Sequence, residues 1–524
     1  MSERLLQLAS ALKQKQGIDA DAGEEKIEVS LPARSAATLY EKARSAVDYQ
    51  EEHLLRRNAI LRIVKRYAGS ESTIAEISEQ LLRELIWARY LPNKEVPARL
   101  ITQLIPIFEK YEVVIRGLDQ YEGTQSSELY DWVMEVLATE LEYAITPPIH
   151  NEALASYMYE EMKERVEWDG RLQLTEEQKD LFVYIAVHKS LLKSDDATLR
   201  FRIFTLYYPE WPGEVSQDLL KHVVTHLSSI VHTVNGYIEH SIVNRLSMLL
   251  RRPAGLFRVI YTAFEEEPEK MIKAVNDPDT MDAEVKKALK KRTKEFRRVS
   301  RRTVFRSILF LFITKSMMAL SIEVPYELLI FDEPHYVPVL INIIFPPFLL
   351  GLIALTVSVN ERKNMGDYVA AARALLVGTS HELLNVRLKR RRRNAWLVLF
   401  NMMYAVTYLF VFGFITLGLL LLHFTWVSIT IFLFVLCLVA FFGIRVRSAV
   451  KDIVLSPRRQ GIFGALFDLI TIPILNAGRW LSTTFSKINV FVYFFDFILE
   501  APFKVAVRFF EGWTDYIREK REEI

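Results

Sequence analysis

Residues 394–444 read NAWLVLFNMMYAVTYLFVFGFITLGLLLLHFTWVSITIFLFVLCLVAFFGI, 51 positions without an Asp, Glu, Lys or Arg. Arg390-Arg391-Arg392-Arg393 fences this stretch on one side, and Arg445 and Arg447 on the other. As a helix rising about 1.5 Å per residue it would be roughly 76 Å long, enough for two crossings of a hydrocarbon layer about 30 Å thick and a turn between them. The turn is expected at His423-Phe424-Thr425-Trp426, where polar and aromatic side chains suit the headgroup region. A membrane hairpin here decides the class of the chain, but not its activity.

Two further apolar segments precede the hairpin. Residues 303–322 are apolar apart from Arg306, Lys315 and scattered hydroxyls, and 337–359 carry no charge. Together with 396–422 and 427–444 they give four expected crossings. Between 279 and 324 there is neither Gly nor Pro. The simplest reading is one helix of about 69 Å that starts as a basic stalk (281–302) and continues as the first crossing.

The flanking charges suit one orientation. The stalk is strongly basic, the loop after the first crossing (EVPYELLIFDEPHY) is acidic, and the loop after the second carries Arg362, Lys363 and LKRRRR. The positive-inside rule then puts both termini in the cytosol, in a plasma or inner membrane. The formal charge of the 524 residues is only +2, yet residues 286–302 hold ten basic residues against one acid and 387–393 hold six basic residues. The rest of the chain is therefore net acidic, and the positive charge is concentrated beside membrane segments. Arg297, Arg298, Arg301, Arg302, Lys389, Arg390, Arg391, Arg392 and Arg393 are read as facing anionic lipid headgroups. A nucleic-acid partner is not expected from a basic tract in that position.

Residues 1–280 read as a cytosolic all-helical domain. Apolar positions recur at helical spacing, as in Leu55, Ile60, Ile63, Val64 and Tyr67. Capping boxes at Thr73/Glu76 and Thr175/Gln178 open helices expected over 74–90 and 176–192. Breaks are expected at Pro92, Pro147-Pro148, Gly170, 209–213, Pro253 and Pro278, and only 26–31 (KIEVSL) alternates like a strand. The amino terminus lacks the uncharged run of a secretory signal. Residues 445–524 are expected to form amphipathic helices at the membrane surface. Within them, Asp496, Glu500, Lys504 and Arg508 make a thin charged stripe on an aromatic segment, 490–513.

Chemistry-bearing residues are few. Lys315, near the middle of the first crossing, either lines a polar path or reaches an acid such as Glu323 or Glu327. Pro346-Pro347 should kink the second crossing, as in helices that line transport sites. Asp218, His222 and His226 share one side of a helix and could hold a metal ion, although the acid of an HExxH motif is missing. Asp332-Glu333-Pro334-His335 is a second candidate for a cation. The single cysteine, Cys437, excludes an internal disulfide, and no P-loop, dinucleotide-binding glycine set or nucleophile elbow occurs.

The expectation is an all-α polytopic membrane protein that takes no cofactor, is not an enzyme, and serves as a membrane-anchored interaction or scaffolding protein. Its partners would be the bilayer, a protein on the 1–280 domain, and further copies of the chain. The alternative is an oligomeric channel or transporter using Lys315 and the Pro346-Pro347 kink.

Overall fold

Thr73 and Thr175 both act as the capping boxes require. Each side-chain oxygen accepts from the amide three residues on (Glu76, Gln178), and the Glu76 or Gln178 side chain returns to the threonine amide. These local devices recur in a mostly helical chain, known from a computed structural model that describes residues 3–13, 24–29, 52–69, 71–274, 277–331, 336–355, 361–377, 379, 384–388, 396–449, 471–481 and 484. In chain order the elements begin with α1 (Glu3–Lys13), α2 (Glu52–Tyr67), α3 (Ile74–Trp87), α4 (Arg99–Arg116), α5 (Gly123–Ile145), α6 (Ile149–Lys163) and strand β1 (Val166–Trp168). Next come α7 (Glu176–Val187), α8 (Asp196–Tyr207), α9 (Gln217–Glu239), α10 (Ser241–Glu266) and α11 (Pro268–Ala274). The last group is α12 (Pro278–Met318), α13 (Val324–Phe331), α14 (Tyr336–Leu355), α15 (Glu361–Val377), β2 (Val386–Leu388), α16 (Trp396–Leu421) and α17 (Trp426–Ala449).

The described residues fall into two compact units. The first comprises residues up to 165 and 174–250, centred on α5, which packs against α2, α4 and α8. Leu129, Trp132, Val133, Val136, Leu137 and Leu141 of α5 are buried. Their spacing of three and four residues covers a wide apolar face, as a helix with neighbours on several sides requires.

The second unit comprises 166–173 and the described residues from 251 onward. Here α12 packs against α14 and α15, and α14 against α17. β1 and β2 pair in parallel, Val166 with Val386 and Trp168 with Leu388. Four helices in this unit are long and apolar enough to cross a membrane: Pro278–Tyr326, Tyr336–Ile353, Met402–Leu421 and Trp426–Gly443. The turn between the last two has a local cause. His423 adopts a left-handed conformation (φ 60°) and Phe424 N–H bonds back to the Leu419 carbonyl, closing α16. Thr425 Oγ1 then accepts from Ser428 N–H and opens α17. The face of α16 is apolar and open, with Leu409 77% and Phe414 70% exposed, as a lipid-facing helix would be.

Three expectations need correction. Among residues 24–29 there is an isolated bridge of Lys26 to Pro97 rather than a strand, since alternation alone does not supply a neighbouring strand. Pro253 does not break α10, which runs through it while Ala254, Leu256 and Phe257 are fully buried. Tertiary burial there outweighs one missing hydrogen bond. The segment after the second crossing is not only a basic loop, because 361–377 form α15, with Tyr368, Ala371, Ala372 and Leu375 buried at helical spacing. The tail stripe at 496–508 lies outside the described residues.

Candidate functional site

Lys315 comes near the end of α12, and the helix then widens into a π-turn over Ala319–Glu323 before α13 resumes. Pro325 stands two residues past that turn. It has no amide hydrogen and its ring crowds the preceding turn, so a wide turn just before it fits the local chemistry. The widening also changes register. A π-turn inserts one extra residue, so a spacing of eight behaves like a spacing of about seven, or two full turns, on one face. Lys315 and Glu323 are thereby brought onto one side of the helix, with Nζ 3.5 Å from Oε1.

Asn342 of α14 completes the cluster. Its Nδ2 donates to Glu323 Oε2 at 2.8 Å and approaches the backbone carbonyl of Ser428, at the start of α17, at 3.5 Å. Lys315, Glu323, Asn342 and Ser428 are at most 3% exposed. Three apolar helical segments are thus joined through one buried polar knot. An unpaired ammonium at the centre of a bilayer costs about 2.5–3.5 kcal/mol on insertion scales, and a carboxylate at ion-pair distance offsets much of that. Of the two acids within reach by sequence, Glu323 is the partner of Lys315. Asn342 and Ser428 were not expected, because a neutral polar residue in an apolar run carries no sign of what it will bond.

Pro346 and Pro347 are buried in α14, four and five residues after Asn342, and the helix continues through both. With no N–H at either position, the carbonyls of Asn342 and Ile343 lack their usual helical donors. The prolines therefore extend the polar character of the Asn342 level.

The other candidate residues are placed as follows. His222 and His226 stack on α9 with ring centroids 4.4 Å apart; His222 Nε2 is 3.4 Å from Tyr208 Oη, and His226 Nδ1 is 3.0 Å from the His222 carbonyl. Asp218 lies one turn earlier on α9. Among the described residues no group of three or more His, Cys, Asp or Glu side chains is arranged to hold a metal ion. Arg297, Arg298, Arg301 and Arg302 are exposed on α12 and border a cavity with α15. Residues 332–335 and 389–393, which include Asp332, His335 and the LKRRRR arginines, lie outside the described residues.

A second buried ion pair, absent from the sequence reading, lies in the first unit. Lys110 of α4 donates to Glu140 of α5 and, at 2.6 Å, to the Trp211 carbonyl. Tyr111 Oη donates to the same carboxylate at 2.7 Å, and Trp211 Nε1 donates to Tyr111 Oη at 3.0 Å. Burial pushes the Lys110 ammonium below its ordinary range against the pull of Glu140. Burial likewise raises the Glu140 carboxyl, against Lys110 and the Tyr111 hydroxyl. Each polar atom has a partner, so the network suits a fixed core better than a reactive centre.

Compared with protein-family models, with curated proteins and with solved structures, the chain has no match in any of the three.

Proposed function

We propose that this chain is an integral membrane protein whose four apolar helices anchor a helical interaction domain at the cytosolic face, with both termini on that side. The observation that carries this reading is the use made of Lys315. The charge that would best equip the apolar helices for permeation is occupied within the bundle, by Glu323 at 3.5 Å. The carboxylate is held in turn by Asn342. A buried ion pair held from a second helix favours the one packing of helices that brings these groups together. The extensive helical surface of the first unit then supplies the area for a protein partner, and juxtamembrane arginines supply attraction to anionic lipid.

The competing reading is an oligomeric channel or transporter. It draws on the same cluster, since a buried Lys–Glu–Asn set beside two prolines could rearrange to pass an ion or solute. Flux separates the two. The scaffold reading expects reconstituted full-length protein to give ion and solute flux at the level of empty vesicles, and Lys315→Met to leave it there. A robust conductance or uptake abolished by Lys315→Met would overturn it. Stability gives an independent readout: Lys315→Met alone, leaving Glu323 without its cation, should destabilise by about 3–5 kcal/mol, and Lys315→Met with Glu323→Gln should recover most of that.

A further inference from the structure

The cations of the basic stalk meet two different neighbours. Lys287 lies 3.3 Å and Lys291 2.8 Å from carboxylate oxygens of Glu266 at the end of α10. Lys290, Lys294, Arg297, Arg298, Arg301 and Arg302 line a cavity of about 530 Å³ that is completed by Asn364 and Met365 of α15. The ten lining residues include six cations and no carboxylate. The steps along α12 from Lys290 to Arg302 are four, three, one, three and one residues, which keeps these side chains on one face.

The geometry points to a site for a polyanionic phosphate ester, and specifically for the headgroup of a multiply phosphorylated inositol lipid. The inference rests on the reading that the apolar half of α12 crosses the bilayer. The position argues for a lipid rather than a free solute. Arg297 to Arg302 lie within about 9 Å, along the axis, of Thr303, where the apolar half begins. Exposed Phe305, Leu309 and Phe312 follow on the same helix, beside which acyl chains would run. A single phosphate would engage two or three of the six cations. A headgroup with several phosphates uses the length of the groove, and arginine forks suit its oxygens. The six lining cations are exposed and so reachable by such a headgroup, and Arg301 and Arg302, nearest the apolar half of the helix, meet its phosphodiester.

The test uses the full-length chain in detergent and a fluorescent short-chain phosphatidylinositol bisphosphate, read by polarisation. Competitors are the unlabelled lipid, short-chain phosphatidylserine at equal total charge, and soluble inositol trisphosphate. The bisphosphorylated lipid should compete at least about tenfold better than phosphatidylserine at matched charge. Taking about a factor of five per basic residue near an anionic surface, Arg298→Gln with Arg302→Gln should weaken binding about thirtyfold. Lys286→Gln with Arg306→Gln removes as much charge from positions that do not line the cavity, one of them deeper along α12, and should cost under about threefold. Equal losses from the two double variants, or no preference over phosphatidylserine, would overturn the site. Soluble inositol trisphosphate binding as tightly as the lipid would overturn the lipid assignment in favour of a free phosphate ester. Release of the chain from membranes by alkaline carbonate would instead sink the membrane-spanning reading, while the titration would still decide whether the cavity takes phosphate.

Discussion

Gly478 lies against the backbone of Cys437: a β-carbon placed on it would stand 2.0 Å from the Cys437 carbonyl oxygen and 2.8 Å from Phe441 Cβ. The helix over residues 471–481 therefore approaches the middle of α17 as closely as two backbones allow, and only a glycine fits there. Asn476, in the same helix, donates to Tyr404 Oη of α16. Gly478→Leu should push this helix off α17. Cys437 is the sole cysteine and is 3% exposed, so its alkylation by a small membrane-permeant maleimide reports the displacement. The rate should rise several-fold in Gly478→Leu and stay near wild type in Gly418→Ala, where an added β-carbon meets nothing within 4 Å. No change would mean that the two helices are not held together at this point.

The Lys110–Glu140 pair gives a second prediction. Both groups are shifted toward their neutral forms, Lys110 downward and Glu140 upward, chiefly by burial. Desolvation thus outweighs their mutual attraction. Lys110→Met alone should cost about 3–5 kcal/mol, because it leaves Glu140 without its cation. Lys110→Met with Glu140→Gln keeps an acceptor for Tyr111 and should return stability to within about 1 kcal/mol of wild type. Chemical denaturation followed by circular dichroism reads both, and a double variant no better than the single would contradict the account.

His188 supplies a pH dependence. Burial pushes its imidazole down to about 4 from 6.5, and its ring tilts against Tyr184 with centroids 4.5 Å apart. A histidine with a depressed folded-state pKa contributes stability that is complete above about 6.5 and is lost as pH falls from there toward 4. Over that window the loss is roughly 3 kcal/mol from this one residue. His188→Phe should flatten the stability profile between pH 6.5 and 4. A wild-type profile as flat as the variant's would remove His188 as its source.

The orientation of the apolar helices is open to direct labelling. In a Cys437→Ser background, Asp332→Cys and Arg392→Cys should react with an impermeant thiol reagent from opposite sides of the membrane, Asp332→Cys from outside. This follows from the charge bias of the flanking segments. Labelling of both from one side would refute four crossings with both termini in the cytosol.

The four apolar helices were legible because length and lack of charge are properties of the chain alone. The same is true of the helix starts at Thr73 and Thr175, whose caps lie within four residues of each other. Lys315 was recognisable as costly, and Glu323 as one of two acids in reach. The register that joins them depends on the π-turn at Ala319–Glu323, which no periodicity announces. Asn342 and Ser428 stayed hidden because their partners lie on other helices. Helix α15 is hard to read for a different reason: Glu361, Arg362, Lys363, Asp367 and Arg373 dilute its apolar face, and two of its buried positions, Ala371 and Ala372, are small. Pro253 misled in the opposite direction, since a local rule was overridden by burial on either side of it.

The parallel pairing of Val166–Trp168 with Val386–Leu388 sets an order of events during synthesis. The two strands are separated by about 220 residues, and a ribosome adding roughly 5–20 residues per second needs about 10 to 40 s to make the second after the first. Throughout that interval the earlier strand has an open hydrogen-bonding edge, while the helices of residues 303–322 and 337–355 are already emerging. Completion of the small sheet is therefore a late checkpoint of assembly, and a nascent chain stalled before Val386 would carry an exposed edge that chaperones or proteases could recognise.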